Sequence, residues 1–307
     1  MIKNSVLGVI GETPMLRFTA KDFEMPEDSQ LFVKLEYFNP GGSIKDRLGK
    51  YLIENGLKTG IINEHSVLIE PTAGNTGIGV ALAAAQYGIR TIFVVPDQFS
   101  EEKQILMKAL GAEIVNTPRE AGILGAVKKA QELVKTITNA HSFNQFENFD
   151  NPDSYRPLAD EILSDLTAVN LTSFVSGVGS GGTLTGVASE LVKKYPELRI
   201  CPVEPEGSIL NGGKSGAHEI EGIGVERIPP FFDKINISEI YTISDDEGFG
   251  FAQQLAKKGL LVGSSSGAAF AAALREINSL PNGHSVLTIF PDGSDRYLSK
   301  GIYEERG

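Results

Sequence analysis

One cysteine in 307 residues excludes an intrachain disulfide. That residue, Cys201, lies in the apolar strand pattern Arg199-Ile200-Cys201-Pro202-Val203 and reads as a buried, inert thiol. Histidine is scarce as well. His65, His141, His218 and His284 are scattered without metal-ligand spacing, so no metal is expected. Positive charge is in deficit: the net charge of −11 argues against nucleic acid, whose phosphates require clustered Lys and Arg. No apolar run approaches the roughly 18 residues that a membrane span needs. The first ten residues show no charged region followed by a long apolar stretch, so no signal peptide is expected. Together these absences lead to the expectation of a cytoplasmic protein with no membrane partner.

What is present is alternation. Strand-like apolar runs at 31–36, 66–70, 91–95, 112–116, 173–176, 199–204, 239–243 and 285–290 alternate with helical patterns at 45–57, 77–87, 100–110, 122–135, 153–165, 183–194, 246–258 and 266–277. This order predicts an α/β protein of mostly parallel sheets flanked by helices. The chain is long enough for two domains. The pattern breaks near 145–153, at Asn148-Phe149-Asp150-Asn151-Pro152-Asp153. Ser100 is the expected cap of the third helix, with Glu101 and Glu102 complementing its dipole.

Four glycine-rich turns stand out. Asn39-Pro40-Gly41-Gly42-Ser43 precedes Lys45 at a helix start, where Ser43 is placed to cap. By itself such a lysine reads as a solvated side chain. The other three follow apolar runs and open helical patterns. They are Thr72-Ala73-Gly74-Asn75-Thr76-Gly77, Gly177-Val178-Gly179-Ser180-Gly181-Gly182-Thr183 and Gly263-Ser264-Ser265-Ser266-Gly267. In open α/β sheets ligands bind at such loops, which predicts one composite site. Gly177 to Gly182 also matches the dinucleotide fingerprint Gly-x-Gly-x-x-Gly, with Glu204 ending the next strand. An NAD-dependent oxidoreductase is therefore an alternative, although it gives no role to Lys45, Asn75 or Ser265.

The Asn-Pro-Gly-Gly-Ser-x-Lys-Asp-Arg segment, the Thr-x-Gly-Asn-Thr-Gly loop and the Gly-x-Gly-Gly-Thr loop resemble those of one family. Gly11-Glu12-Thr13-Pro14, Gly222-Ile223-Gly224 and Pro291-Asp292 through Arg296-Tyr297 extend the likeness over nearly the whole chain. The chain resembles the fold-type II pyridoxal-phosphate (PLP) enzymes of the cysteine synthase/cystathionine β-synthase family, which share the tryptophan-synthase β-like fold. The resemblance implies PLP as cofactor, held as a Schiff base by Lys45, which is also the catalytic base. It implies that Asn75 meets the ring hydroxyl, that Gly179, Ser180, Gly181, Gly182 and Thr183 cradle the phosphate, and that Ser265 meets the pyridine nitrogen. Thr72, Ala73, Gly74, Thr76, Gln145 and Gly222 match substrate-binding positions.

It further implies a smaller mobile domain at 41–147, a larger one of 1–40 plus 148–307, a cofactor cleft between them, and a homodimer. Alanine at position 73 departs from the commoner Thr-Ser-Gly-Asn-Thr-Gly, removing a hydroxyl near the substrate. Pro205-Glu206-Gly207-Ser208-Ile209-Leu210 is similar to cystathionine β-synthases. The expectation is thus β-replacement on O-acetylserine or serine by homocysteine, giving cystathionine; the alternative is a cysteine synthase using sulfide.

Overall fold

The computed structural model describes residues 2–97 and 99–304. The chain divides into two compact units. One joins the segment up to Ile10 with Asn39–Asp150, and the other joins Gly11–Phe38 with the chain from Asn151 onward.

The segment Gly11–Phe38 supplies β1 (Met15–Phe18) and β2 (Gln30–Leu35) to the larger unit. The smaller unit follows with α1 (Lys45–Thr59), β3 (Val67–Pro71), α2 (Asn75–Gln86) and β4 (Arg90–Pro96). It continues through α3 (Glu101–Ala109), β5 (Glu113–Thr117), α4 (Gly122–Thr136) and β6 (Ala140–His141). The short α5 (Asp150–Asp153) then leads back into the larger unit. There follow α6 (Arg156–Asp165), β7 (Ser173–Gly177), α7 (Gly182–Lys194) and β8 (Arg199–Pro205). The last elements are β9 (Tyr241–Ile243), α8 (Asp245–Lys257), α9 (Ser264–Ser279) and β10 (Ser285–Phe290).

The smaller unit is a four-stranded parallel sheet in the order β5-β4-β3-β6. Its central strands β3 and β4 are buried along nearly their whole length, as the inner strands of a parallel sheet are, while β5 and β6 at its edges are partly exposed. Val67, Ile69, Ile92 and Val94 pack under Ala126 and Ala130 of α4. The larger unit is a six-stranded sheet, β1-β2-β10-β7-β8-β9, parallel except for the antiparallel edge strand β1. Every residue of β10 is buried. Phe270 of α9 anchors this core, meeting the rings of Phe23, Phe18 and Phe290 edge-on at 4.6, 5.8 and 6.0 Å.

All the strands and helices expected from the pattern are present, with two strands and the one-turn α5 added. β1 and the two-residue β6 are short and carry weak alternation. Ser100 is not the cap it resembles. Its backbone is left-handed (φ +47°) and its side chain makes no capping bond. A cap serine needs an extended backbone for its oxygen to reach the helix amides.

Candidate functional site

In the smaller unit the Lys45 segment is a fixed turn. The Gly42 N–H donates to Asn39 O at 2.8 Å, the Gly41 N–H to Asp46 Oδ2 at 2.5 Å, and the Lys45 N–H to Ser43 Oγ at 3.2 Å. Lys45 is the first residue of α1, and its side chain is half-buried. Buried Asp46 thus ties the glycine turn to the helix. That role has no signature in the sequence beyond its place next to the lysine.

α1 and α2 cross where two glycines meet. A Cβ at Gly49 would lie 2.1 Å from Gly79 O, and one at Gly79 would lie 2.3 Å from Lys45 O. The crossing sets the first turn of α1, which carries Lys45, against the first turns of α2. That helix begins at Asn75, with Gly74 as its extended N-cap. Here the Gly74 N–H points to Thr72 Oγ1 at 3.4 Å, and Ala73 and Thr76 are buried. The hydroxyl of Thr76 donates to Gln145 Oε1 at 2.8 Å. Gln145 is therefore brought to the Thr72–Thr76 loop from the far end of β6, a sequence distance that only the fold closes.

The larger unit gathers the second set. Gly181 is the left-handed N-cap (φ +82°) of α7, which leaves its first amides facing outward as an anion site does. Ser180 Oγ accepts from Asn151 Nδ2 at 2.9 Å, and a Cβ at Gly182 would lie 1.9 Å from Asn151 Oδ1. Asn151 underlies the loop closely; its sequence setting marked only a break in pattern. The Gly224 N–H donates to Val178 O at 2.8 Å, and a Cβ at Gly179 would sit 2.7 Å from Gly222 O. Glu221 N–H reaches Ser264 Oγ at 3.3 Å. The phosphate-type loop, Gly222–Gly224 and the buried Ser265 turn are thus contiguous.

Behind that turn the Gly263 N–H donates to Asp292 O at 3.1 Å. The Tyr297 hydroxyl donates to the Asp292 carboxylate. Burial, then the Asp292 charge, push the Tyr297 hydroxyl well above its usual range, so it remains a donor. Gly11–Pro14 has a scaffolding place: Thr13 donates to Glu36 at 2.6 Å, and its carbonyl accepts from buried Lys34 at 2.7 Å.

These residues suit PLP. A Cβ at Gly74 would meet nothing within 4 Å, and one at Gly222 would meet only Ser265 Oγ at 4.0 Å. Each loop therefore leaves room beside its glycine within its own unit. The smaller unit holds a helix-start lysine, and the larger holds an anion-type helix start and a neutral buried hydroxyl, Ser265. The dinucleotide alternative loses its acid. The Glu204 carboxylate accepts the N–H groups of Leu210 and Asn211 at 2.7 and 3.0 Å and the hydroxyl of Thr242 at 3.2 Å, tethering a loop where it would have to hold a ribose. No cluster of three or more metal-ligating side chains occurs among the described residues, and no described helix is long and apolar enough to cross a membrane.

Fold and residues together define a fold-type II PLP enzyme. The chain belongs to the pyridoxal-phosphate dependent enzyme family, whose profile matches residues 6–292. Among its relatives is a cysteine synthase of Helicobacter pylori, 58% identical and covering 99% of both chains. Another is an O-acetylserine dependent cystathionine β-synthase of Bacillus subtilis, 51% identical over 96% of each. The crystal structure of an O-acetylserine dependent cystathionine β-synthase from Helicobacter pylori superposes with a TM-score of 0.95, at 58% identity and 99% coverage of both chains.

Proposed function

We propose that this enzyme replaces the β-substituent of O-acetylserine, or of serine, with homocysteine to form cystathionine. The observation that carries this reading is the pair of relatives, in sequence and in structure, named for O-acetylserine dependent cystathionine synthesis at 51% and 58% identity. Sulfide as the incoming nucleophile, giving cysteine, is the second reading, favoured by the cysteine synthase at 58% identity. A cytoplasmic homodimer belongs to the same proposal.

Lys45 Nζ would hold the cofactor and take the proton from the substrate Cα. Bound PLP supplies the sink for the negative charge this leaves. Asn75 would meet the ring hydroxyl, Ser265 the ring nitrogen, and Gly179–Thr183 the phosphate. A hydroxyl at Ser265 does not hold the ring nitrogen protonated, which moderates that sink and suits replacement at Cβ over amino-group transfer. Backbone amides at the start of α2, with Thr72, Thr76 and Gln145, orient the substrate carboxylate. Ala73 and Gly222 would contribute to binding the substrate, which loses acetate from O-acetylserine or water from serine as the thiol adds.

The Pro205–Leu210 stretch, similar to that of cystathionine β-synthases, supports homocysteine as the thiol. Ser208 Oγ accepts the Val225 N–H at 2.9 Å, and the Ile209 N–H donates to Val225 O at 3.1 Å. The segment therefore pins the residue that follows Gly222–Gly224.

The test is a competition assay on purified holoenzyme, with O-acetylserine and equal homocysteine and sulfide. Cystathionine as the dominant product is expected; dominant cysteine would establish the sulfide reading. Lys45→Ala is the control, expected to abolish both the yellow cofactor band and turnover.

A further inference from the structure

We infer that Glu70 is the positioning residue that presents Gln145 to the Thr72–Thr76 loop, by taking over from the sheet ladder where the chain leaves it. The inference rests on the proposal above that this loop and Gln145 hold the substrate carboxylate.

β6 pairs with β3 at only two positions, Val67↔Ala140 and Leu68↔His141. Carried on in register, Phe143 would face Glu70, but the ladder stops short of it. Phe143 is buried, and a buried amide without an acceptor costs about 1–3 kcal/mol. The Glu70 carboxylate supplies that acceptor. Its Oε1 takes the Phe143 N–H and, at 3.2 Å, the Ser142 hydroxyl, and the Asn144 N–H also donates to this carboxylate. These neighbouring donors are thereby fixed at the last point where sheet geometry could hold them.

The chain then reverses at Asn144, whose φ of +49° is left-handed. The Asn144 carbonyl closes the turn, accepting the N–H groups of Glu147 and Asn148 at 3.1 and 3.0 Å. The next residue is Gln145, met by the Thr76 hydroxyl. On its own strand Glu70 lies two residues before Thr72. One buried carboxyl therefore fixes both the start of the loop and the side chain that faces it. Since the Phe143 and Ser142 donors converge on a single oxygen, an acceptor is the property they require and full ionisation is not. Glutamine retains such an oxygen.

The experiment measures steady-state kinetics of holoenzyme variants with O-acetylserine varied. Glu70→Ala is expected to raise KM about tenfold with kcat within about threefold, the size of one or two lost hydrogen bonds. Glu70→Gln is expected to restore KM to within about threefold of wild type. Because Glu70 acts through Gln145, adding Glu70→Ala to Gln145→Ala should raise KM no further than Gln145→Ala alone. An unchanged KM in Glu70→Ala, a Gln variant as impaired as the Ala variant, or multiplying effects in the double variant would each overturn the inference.

Amide hydrogen exchange over residues 140–148 gives a readout independent of turnover. Protection should fall in Glu70→Ala and persist in Glu70→Gln; unchanged protection in Glu70→Ala overturns the anchor. Wild-type protein that binds PLP yet turns over O-acetylserine with neither thiol defeats the proposed function alone, and hydrogen exchange still decides the anchor. Should Glu70→Ala not fold, Glu70→Met fills the space without an acceptor and carries the same expectations.

Discussion

Glu70 and Glu276 are both buried carboxyls, yet they answer burial in opposite ways. For Glu70 desolvation dominates, and neutral donors only partly offset it, so its carboxyl is pushed up to about 7. For Glu276 burial also opposes ionisation, but Arg199, Ser173 and Tyr241 donate to it at 2.7, 2.5 and 2.6 Å. Together they hold it below the usual carboxylate range. A raised native pKa means that the native state binds the proton more tightly than the unfolded chain. The stability Glu70 contributes is then full below about 4.5 and lost as pH rises through about 7. Glu70→Gln lacks this titration. Its stability relative to wild type should grow by roughly 3 kcal/mol over that window and level off above it, read by urea unfolding at several pH values. A difference independent of pH would show that Glu70 does not titrate there. Neither carboxyl's role was legible in the sequence, where Glu70 is one acidic residue in an apolar strand. The turns that hold Lys45, Asn75 and Gly179–Thr183 were legible as turns at helix starts, because they are made by neighbours in the chain.

At the scale of elements, the Gly49–Gly79 crossing is the contact on which the Lys45 turn depends. A Cβ 2.1 Å from the Gly79 carbonyl cannot be accommodated by a side-chain rotation, because the obstacle is backbone. Gly49→Ala should therefore separate the helices, costing about 3 kcal/mol in urea unfolding and weakening PLP retention measured by cofactor absorbance after gel filtration. Retention equal to wild type would mean that the Lys45 turn holds without the crossing. Periodicity located the helices and most strands, since burial on one or both faces is written into apolar spacing. It did not locate β6, whose two residues are held by partners distant in sequence. Nor did it distinguish helix caps: Ser244 does cap α8, accepting the Glu247 N–H at 3.2 Å, whereas Ser100 does not cap α3. The two differ in backbone dihedral, which the residue type does not dictate.

At the scale of the whole molecule, the chain crosses between its units after Ile10, after Phe38 and after Asp150. The segment up to Ile10 packs with the smaller unit, where the sequence reading assigned residues 1–40 to the larger. Lys50 Nζ donates to Leu7 O at 3.1 Å, joining that segment to α1. Cys201 is fully enclosed in the larger unit's core, and burial pushes its thiol far above the ordinary range. As the only cysteine, it is expected to be silent to a disulfide reagent in native protein and to react once per chain in denaturant, its labelling rate following global opening. Fast labelling of native protein would show that this core opens locally.

The sequence by itself determined the class of fold and the two-domain scale, because these depend on apolar periodicity, and the family, through the likeness of its glycine-rich motifs. Tertiary structure alone decided that Gln145 meets Thr76, that Asn151 underlies the Ser180 loop and that Glu204 tethers a loop. It also gave Glu70 the neighbouring donors of Ser142, Phe143 and Asn144 to hold. Those depend on which distant donors arrive at a buried acceptor, and burial is a property of the packed chain.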